Sequence, residues 1–332
     1  MIRVGIYGAT GYTGFELIKL LQRHHQAQIV FATARSAAGK RLGDVFPTMI
    51  DLPLIDAEEA NLAAVDVVFC CLPHGTTAPT VQRSLEAGVR VIDLSADFRL
   101  RDPADYQRWY GNTHPAPELL ASAVYGLPEL HREAIRHARL VANPGCYPTS
   151  VILALHPLVR AGLMADTNVI VDSKSGVSGA GRSLSLKTHF GETHETFSAY
   201  NIGRSHRHIA EMEQETGLQV IFSPHLLPVF KGILSTIYVR LPAGTDAALV
   251  REAYGVYRDE PFVRLLPGGR LPELRHAVGT NLCVLGIHPV DVDSGRYILV
   301  SVEDNLIKGA SGQALQNMNV MFGLEETLGL MS

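Results

Sequence analysis

Cysteine is scarce in this chain. Four thiols, Cys70, Cys71, Cys146 and Cys283, are spread over 332 residues, too few for a disulfide scaffold. Adjacent Cys70 and Cys71 fall in an apolar run and read as reduced core residues. There is no basic tract or aromatic–basic face of the kind that meets nucleic acid. The 29 basic and 33 acidic residues are interspersed at a formal charge of −4, with no like-charge block to suggest a disordered tail. No apolar run approaches the roughly 18 residues that a membrane helix needs. A strand pattern starts at Ile2, leaving no room for a signal peptide ahead of it, so a cytoplasmic protein is expected. Repeats and low-complexity stretches are also missing. Glycine, with 30 residues, is plentiful, and its clusters mark the informative loops.

The length predicts two domains. In the first half, short β-branched runs (3–7, 28–33, 65–72, 89–94, 140–142) alternate with amphipathic segments (14–23, 76–87), the pattern of βαβ units in a parallel sheet. The second half has longer strand-like runs (168–174, 219–223, 234–241, 282–288, 297–302) and fewer helices (149–160, 206–215, 247–257), which predicts a mixed or antiparallel sheet. The expected fold is α/β: a Rossmann-type domain over 1–145 and an α+β substrate and dimerisation domain over 146–310. A helix at 311–328, within the terminal segment 311–332, should pack back on the first domain. Ligands of parallel sheets bind beyond the C-terminal strand ends, and Gly8, Pro73, His74, Ser95 and Cys146 all follow such ends.

Cys146 stands in Asn143-Pro144-Gly145-Cys146-Tyr147-Pro148-Thr149-Ser150, where a loop turns into the apolar helix that continues as Val151-Ile152-Leu153. At a helix N-terminus the macrodipole favours negative charge, and a thiol there can ionise at a pKa of roughly 3.5–7.5 instead of about 8.5. Cys146 is therefore a candidate nucleophile, although a lone cysteine is more commonly buried in the core.

Gly8-Ala9-Thr10-Gly11-Tyr12-Thr13-Gly14 follows the first strand and opens the first helix. That is the context in which a glycine loop receives a pyrophosphate, making a dinucleotide cofactor the expectation. The second strand ends in Thr33-Ala34-Arg35-Ser36. It offers no carboxylate for a ribose 2′-hydroxyl, whereas Arg35 and Ser36 suit a 2′-phosphate, favouring NADP over NAD. A second glycine loop, Ser175-Gly176-Val177-Ser178-Gly179-Ala180-Gly181-Arg182, is a possible anion nest with Lys174 and Arg182 supplying charge; a mobile turn is the alternative. Ser205-His206-Arg207-His208 reads as the capped start of a helix and offers an acid–base histidine. Two histidines without a third ligand make a poor metal site, and none is expected. Asn305 lies in a polar stretch, Glu303-Asp304-Asn305, just before the last helix, a segment that also reads as an ordinary surface loop.

These blocks, with Asp93-Leu94-Ser95-Ala96-Asp97-Phe98-Arg99 and Asp304-Asn305-Leu306-Ile307-Lys308-Gly309-Ala310, resemble the N-acetyl-gamma-glutamyl-phosphate reductase family end to end. That family is related in fold to aspartate-semialdehyde and glyceraldehyde-phosphate dehydrogenases. The resemblance implies NADPH-dependent reduction of an acyl phosphate through a thioester on Cys146, with phosphate released. It places the acid–base histidine at His206, with His208 as the fallback. It implies substrate contacts from Ser95, Asn143, Lys174, Arg182, Arg207 and His208. Beyond the first glycine loop, it adds Pro73, Ser178, Gly179 and Asn305 to the cofactor's surroundings, and it implies a homo-oligomer, dimer or tetramer. Two alternatives stay open: the one-carbon-longer aminoadipyl phosphate as substrate, and a non-catalytic NADP-binding sensor. A short-chain reductase is disfavoured because no tyrosine is followed four residues later by lysine.

Overall fold

The computed structural model describes residues 1–331. The chain divides into two compact units, Met1–Pro144 together with the segment from Ala310 onward, and Gly145–Gly309.

In the first unit, β1 (Ile2–Tyr7), α1 (Tyr12–Leu21), β2 (Ala27–Ala32), β3 (Val67–Cys70), α2 (Ala78–Glu86), β4 (Arg90–Asp93), α3 (Pro103–Tyr110), β5 (Ala123–Tyr125), α4 (Pro128–His137) and β6 (Leu140–Ala142) follow in order. The six strands make one sheet in the order β2-β1-β3-β4-β6-β5, and every pairing is parallel. Every residue of β3 is buried, as expected of a strand covered on both faces. The chain leaves β1 for β2 on one side and then places β3 on the other. The C-terminal ends of β1 and β3 therefore form the switch point at which such sheets open a crevice.

In the second unit, α5 (Cys146–Arg160), β7 (Asn168–Gly176), α6 (Phe190–Thr193), β8 (Ser198–Ala199), α7 (His208–Thr216), β9 (Gln219–Leu227), β10 (Ile233–Arg240), α8 (Ala247–Ala253), β11 (Val263–Leu265), β12 (Cys283–Asp291) and β13 (Arg296–Glu303) follow. Their seven-stranded sheet runs β11-β12-β13-β10-β7-β9-β8. It is mixed: β7 pairs with β9 in parallel and with β10 antiparallel. Alternation along β9 and β10 buries one side chain in two, the signature of a sheet covered on one face.

The covering element is α5, which lies on β10 and β13. Small hydroxyl side chains line the contact: Ser150 Oγ lies 2.9 Å from Ser235 Oγ and 3.1 Å from Ser301 Oγ, and Ser235 reaches Ser173 at 2.8 Å. All four are fully buried, so these hydroxyls satisfy one another where water cannot. Pro157 sits inside α5 and leaves the Leu153 carbonyl without its helical donor. The Tyr257 hydroxyl donates to that carbonyl at 2.9 Å. Leu153, Leu155, Ile152 and Leu158 are all buried, each contributing about 1.5–3 kcal/mol.

A π-helical turn at Ile307–Ser311 precedes α9 (Gly312–Met321), which packs on α1 and α4 within the first unit. Ser311 Oγ donates to the Thr13 carbonyl at 2.7 Å. The helix stops at Met321 and does not run to 328 as its apolar pattern suggests. Gly323 takes a φ of +64° and Leu324 N–H closes on the Asn319 carbonyl at 2.8 Å, a left-handed helix stop.

Candidate active site

Cys146 is the first residue of α5, half-buried, behind a Gly145 N-cap in extended conformation. The first turn carries no acidic residue and no side chain caps it, so the helix end presents its positive pole to the sulfur. Gly145 N–H donates instead to the Glu211 carboxylate at 3.0 Å, and Glu211 is fully buried on α7. Glu211 therefore anchors the backbone one residue before the thiol.

Gly309 closes the other side of Cys146. A Cβ there would come within 2.7 Å of both Cys146 Cβ and Glu303 Oε1. Only a glycine lets this strand of backbone lie against the cysteine, and the same close approach places the buried Glu303 carboxylate beside it.

Tyr147, next in the chain, packs edge-on against His206 (centroids 5.6 Å apart) and His208 (6.0 Å). Its hydroxyl meets that of Tyr200 at 2.9 Å. Both phenols are driven up by burial, Tyr200 to about 12. His206 is 8 % exposed. Burial, helped by the charge of Arg207, pushes its imidazole down to about 4, so it is neutral at pH 7. Its Nδ1 accepts from His208 N–H at 3.2 Å, which assigns the proton to Nε2. The helix here starts at His208 with Arg207 at the N-cap, two residues later than the Ser205 cap predicted from sequence. Ser205 Oγ donates to the Ile202 carbonyl at 3.0 Å instead.

The other predicted contacts are distributed over both units. Lys174 lies within β7 and pairs with Asp172 at 2.8 Å. Arg182 is exposed, and Arg207 and His208 are half-buried. Asn305 is buried with both amide ends engaged: Oδ1 accepts from Gly232 N–H at 2.7 Å and Nδ2 donates to Ser178 Oγ at 2.9 Å. Gly179 is exposed beside that pair. In the first unit, Ser95 and Asn143 are buried. Ser95 Oγ contacts Asp93 at 2.6 Å, and Asn143 Nδ2 donates to the Ala310 carbonyl at 3.1 Å.

The glycine loop of the first unit has the geometry a dinucleotide needs. Gly8 takes a φ of +82°, and a side chain on it would run into the Cys71 carbonyl. Thr10, Gly11, Tyr12 and Thr13 are partly exposed around the start of α1, with Gly14 buried behind them. The N-terminus of α1 has no side-chain cap and no acidic residue in its first turn, so its N–H groups and dipole are available to a phosphate. Arg35 and Ser36 are exposed just past the end of β2, and Pro73 is exposed just past β3. These residues fit the group that the loop predicts.

Glu211 and Tyr200 stand in no motif of the sequence, and Tyr147, Glu303 and Gly309 stand in quoted stretches without a role of their own. Gly309 stands in a quoted block, yet nothing local to it announces a contact with residue 146.

A parallel sheet with an open helix terminus at its switch point, in a chain whose second unit opens on a helix that begins with a cysteine, defines a nucleotide-dependent oxidoreductase of the semialdehyde dehydrogenase type. Residues 3–138 match the family model for the semialdehyde dehydrogenase NAD binding domain, and residues 146–305 match that for its dimerisation domain. The N-acetyl-gamma-glutamyl-phosphate reductase of Pelotomaculum thermopropionicum is 51 % identical, covering 99 % of this chain and 97 % of its own. That of Desulforudis audaxviator is 50 % identical, covering 99 % and 98 %. Among solved structures, aspartate semialdehyde dehydrogenase II of Vibrio cholerae superposes with a TM-score of 0.75 at 21 % identity, over 97 % of this chain and 98 % of its own. The Candida albicans aspartate semialdehyde dehydrogenase with NADP gives 0.73 at 17 % identity, over 97 % and 98 %. The chain belongs to the N-acetyl-gamma-glutamyl-phosphate reductase family of semialdehyde dehydrogenases.

Proposed function

We propose that this enzyme reduces N-acetyl-gamma-glutamyl phosphate to N-acetylglutamate 5-semialdehyde with NADPH, releasing phosphate. The observation that carries the reading is Cys146 at the uncapped start of α5, with two imidazoles packed on the neighbouring Tyr147. The thiolate attacks the acyl-phosphate carbon, the bond to the phosphate oxygen breaks, and a thioester remains on Cys146. This splits one difficult substitution into two easier steps. NADPH, when bound, supplies the hydride. His206 donates a hydrogen bond from Nε2–H to the carbonyl oxygen and, being neutral, keeps its proton, so the oxyanion left after reduction expels the thiolate directly. When the carbon–sulfur bond breaks, the aldehyde leaves and the thiolate returns. The start of α5 stabilises the oxyanion. Arg182, Arg207 and Lys174 are the cations proposed for the substrate's phosphate and carboxylate, with the His208 imidazole as a further contact.

Gly8, Thr10, Gly11, Tyr12, Thr13 and Gly14 hold the pyrophosphate in this reading. Arg35 and Ser36 hold the 2′-phosphate, selecting NADP over NAD. The 1–145 region with the terminal helix is the cofactor domain, and 146–310 carries catalysis and subunit contact. The enzyme works in the cytoplasm as a homo-oligomer, a dimer or tetramer. A cross-strand row of exposed apolar residues, Ile221, Ile170 and Tyr238, supports burial of that sheet face against another subunit.

Steady-state kinetics with purified protein test the reading. One NADPH should be oxidised per phosphate released from N-acetyl-gamma-glutamyl phosphate. The kcat/KM for the acyl phosphate one methylene longer should be about 10–200-fold lower. Preference for the longer substrate, or turnover without phosphate release, would overturn it.

A further inference from the structure

Four side chains of the first unit lie in line: Asp93 at the end of β4, Ser95 and Asp97 in the following loop, and Thr77 just ahead of α2. Asp93 Oδ2 is 2.6 Å from Ser95 Oγ, Ser95 Oγ is 2.8 Å from Thr77 Oγ1, and Thr77 Oγ1 is 2.7 Å from Asp97 Oδ2. Asp93, Asp97 and Thr77 are fully buried, and Ser95 nearly so. Each of these three contacts is hydrogen-bond length and needs a proton. The two hydroxyls bring one each. With both carboxyls ionised the chain is one proton short.

The surroundings say which carboxyl holds the third. Asp97 faces donors only: Gly75 N–H at 2.6 Å and Tyr106 O–H at 3.1 Å on Oδ1, Thr77 N–H at 3.2 Å and Thr77 O–H at 2.7 Å on Oδ2. Four donors fill the four lone-pair positions of a carboxylate, so Asp97 is the ion. Asp93 is then the acid. It donates to Ser95, Ser95 donates to Thr77, and Thr77 donates to Asp97, a single direction in which every contact has its proton.

We propose that this chain, with Asp93 protonated, is what positions the Pro73–Thr77 loop for the dinucleotide. The inference rests on the cofactor reading of the first unit. The loop follows β3 at the switch point, next to Gly8, and its N–H groups at Gly75 and Thr77 are held by Asp97. Burial drives Asp93 up to about 7, with the Ser95 N–H donated to Asp93 Oδ1 opposing the rise and the charge of Asp97 adding to it. The other ionisable groups around the chain are Arg99 from the same loop, Cys70 and Cys71 at the end of β3, Tyr106 of α3, and His114, whose ring contacts the Asp97 carbonyl oxygen at 2.7 Å. As pH rises through the Asp93 value, its proton passes to solvent. One contact then loses its proton, two buried carboxylates repel, and the grip on the loop weakens.

Three measurements test this. In the cofactor-free protein, the infrared carbonyl band of a protonated carboxyl should be present near about pH 6 and bleach as pH rises past about 7. Amide exchange at Gly75 and Thr77, corrected for its intrinsic pH dependence, should accelerate over the same range. The NADPH Kd should be flat below that range and rise towards tenfold per pH unit above it. In Asp93→Asn, whose amide donates at every pH, the Kd should stay flat. Absence of the band in the wild-type protein, or the wild-type rise persisting in Asp93→Asn, overturns the proposal. The infrared and exchange measurements decide it even if that variant does not fold. If the wild-type protein fails to bind NADPH while the band titrates, the cofactor reading fails and the proton chain stands.

Discussion

Asp93 in the first unit and His206 in the second are both shifted chiefly by burial, in opposite directions. The acid goes up to about 7 and the imidazole down to about 4, because desolvation penalises whichever form is charged. One physical cause thus gives the two units opposite responses to acid. The second unit keeps a neutral histidine beside the residue that follows its thiol. The first keeps a proton inside a chain of four oxygen-bearing side chains. The contrast extends to their helix ends: α1 is left open at its N-terminus, whereas the backbone ahead of α5 is tied down by the buried Glu211.

The sharpest test of this division of labour is Cys146→Ser. Turnover should fall by at least about 10⁴-fold, as expected when a covalent nucleophile is removed, while NADPH binding to the first unit is unchanged in a fluorescence titration. Residual turnover near the wild-type rate would show that the second unit does not work through this sulfur. Next in size is His206→Asn, expected to cost about 10²–10³-fold in kcat, the usual worth of one hydrogen-bond donor to a developing oxyanion. His208→Asn should cost less, because its N–H to His206 comes from the backbone and survives the change. The reverse order would move the donor role to His208.

The smallest effect concerns stability and its sign. His206 has a depressed pKa in the folded chain, so its contribution is present above about pH 6.5 and lost as pH falls towards about 4. Asp93 has a raised one, so its contribution is present below about pH 4 and lost as pH rises through about 7. The His206 limb is worth up to roughly 3 kcal/mol and the Asp93 limb up to roughly 4 kcal/mol. Denaturation midpoints measured across that span should lose the acid limb in His206→Asn and the neutral-pH limb in Asp93→Asn. If either substitution flattened both limbs, the two groups would not be titrating independently.

Much of this architecture was legible in the residues. Alternating β-branched runs and amphipathic helices announced a parallel sheet, the longer strand-like runs a mixed or antiparallel sheet, and Gly8 to Gly14 a turn that only glycine can make. Cys146 was readable as a helix start because Gly145 and Pro148 bracket it. The starts and stops were less legible. The helix after His206 begins two residues late because Ser205 turns back to Ile202, and α9 ends early because Gly323 accepts a left-handed conformation.

Local order in the sequence, through periodicity of 2.0 or 3.6 residues and turn chemistry, determined which elements form and what each loop can hold. What it left undecided were the meetings between residues far apart in the chain. Glu211 on the amide of Gly145, Gly309 against Cys146, and Thr77 between Ser95 and Asp97 are set by how helices and strands stack. Such contacts leave no periodic trace, because a buried polar group is defined by the neighbours that satisfy it, and only the folded chain supplies them.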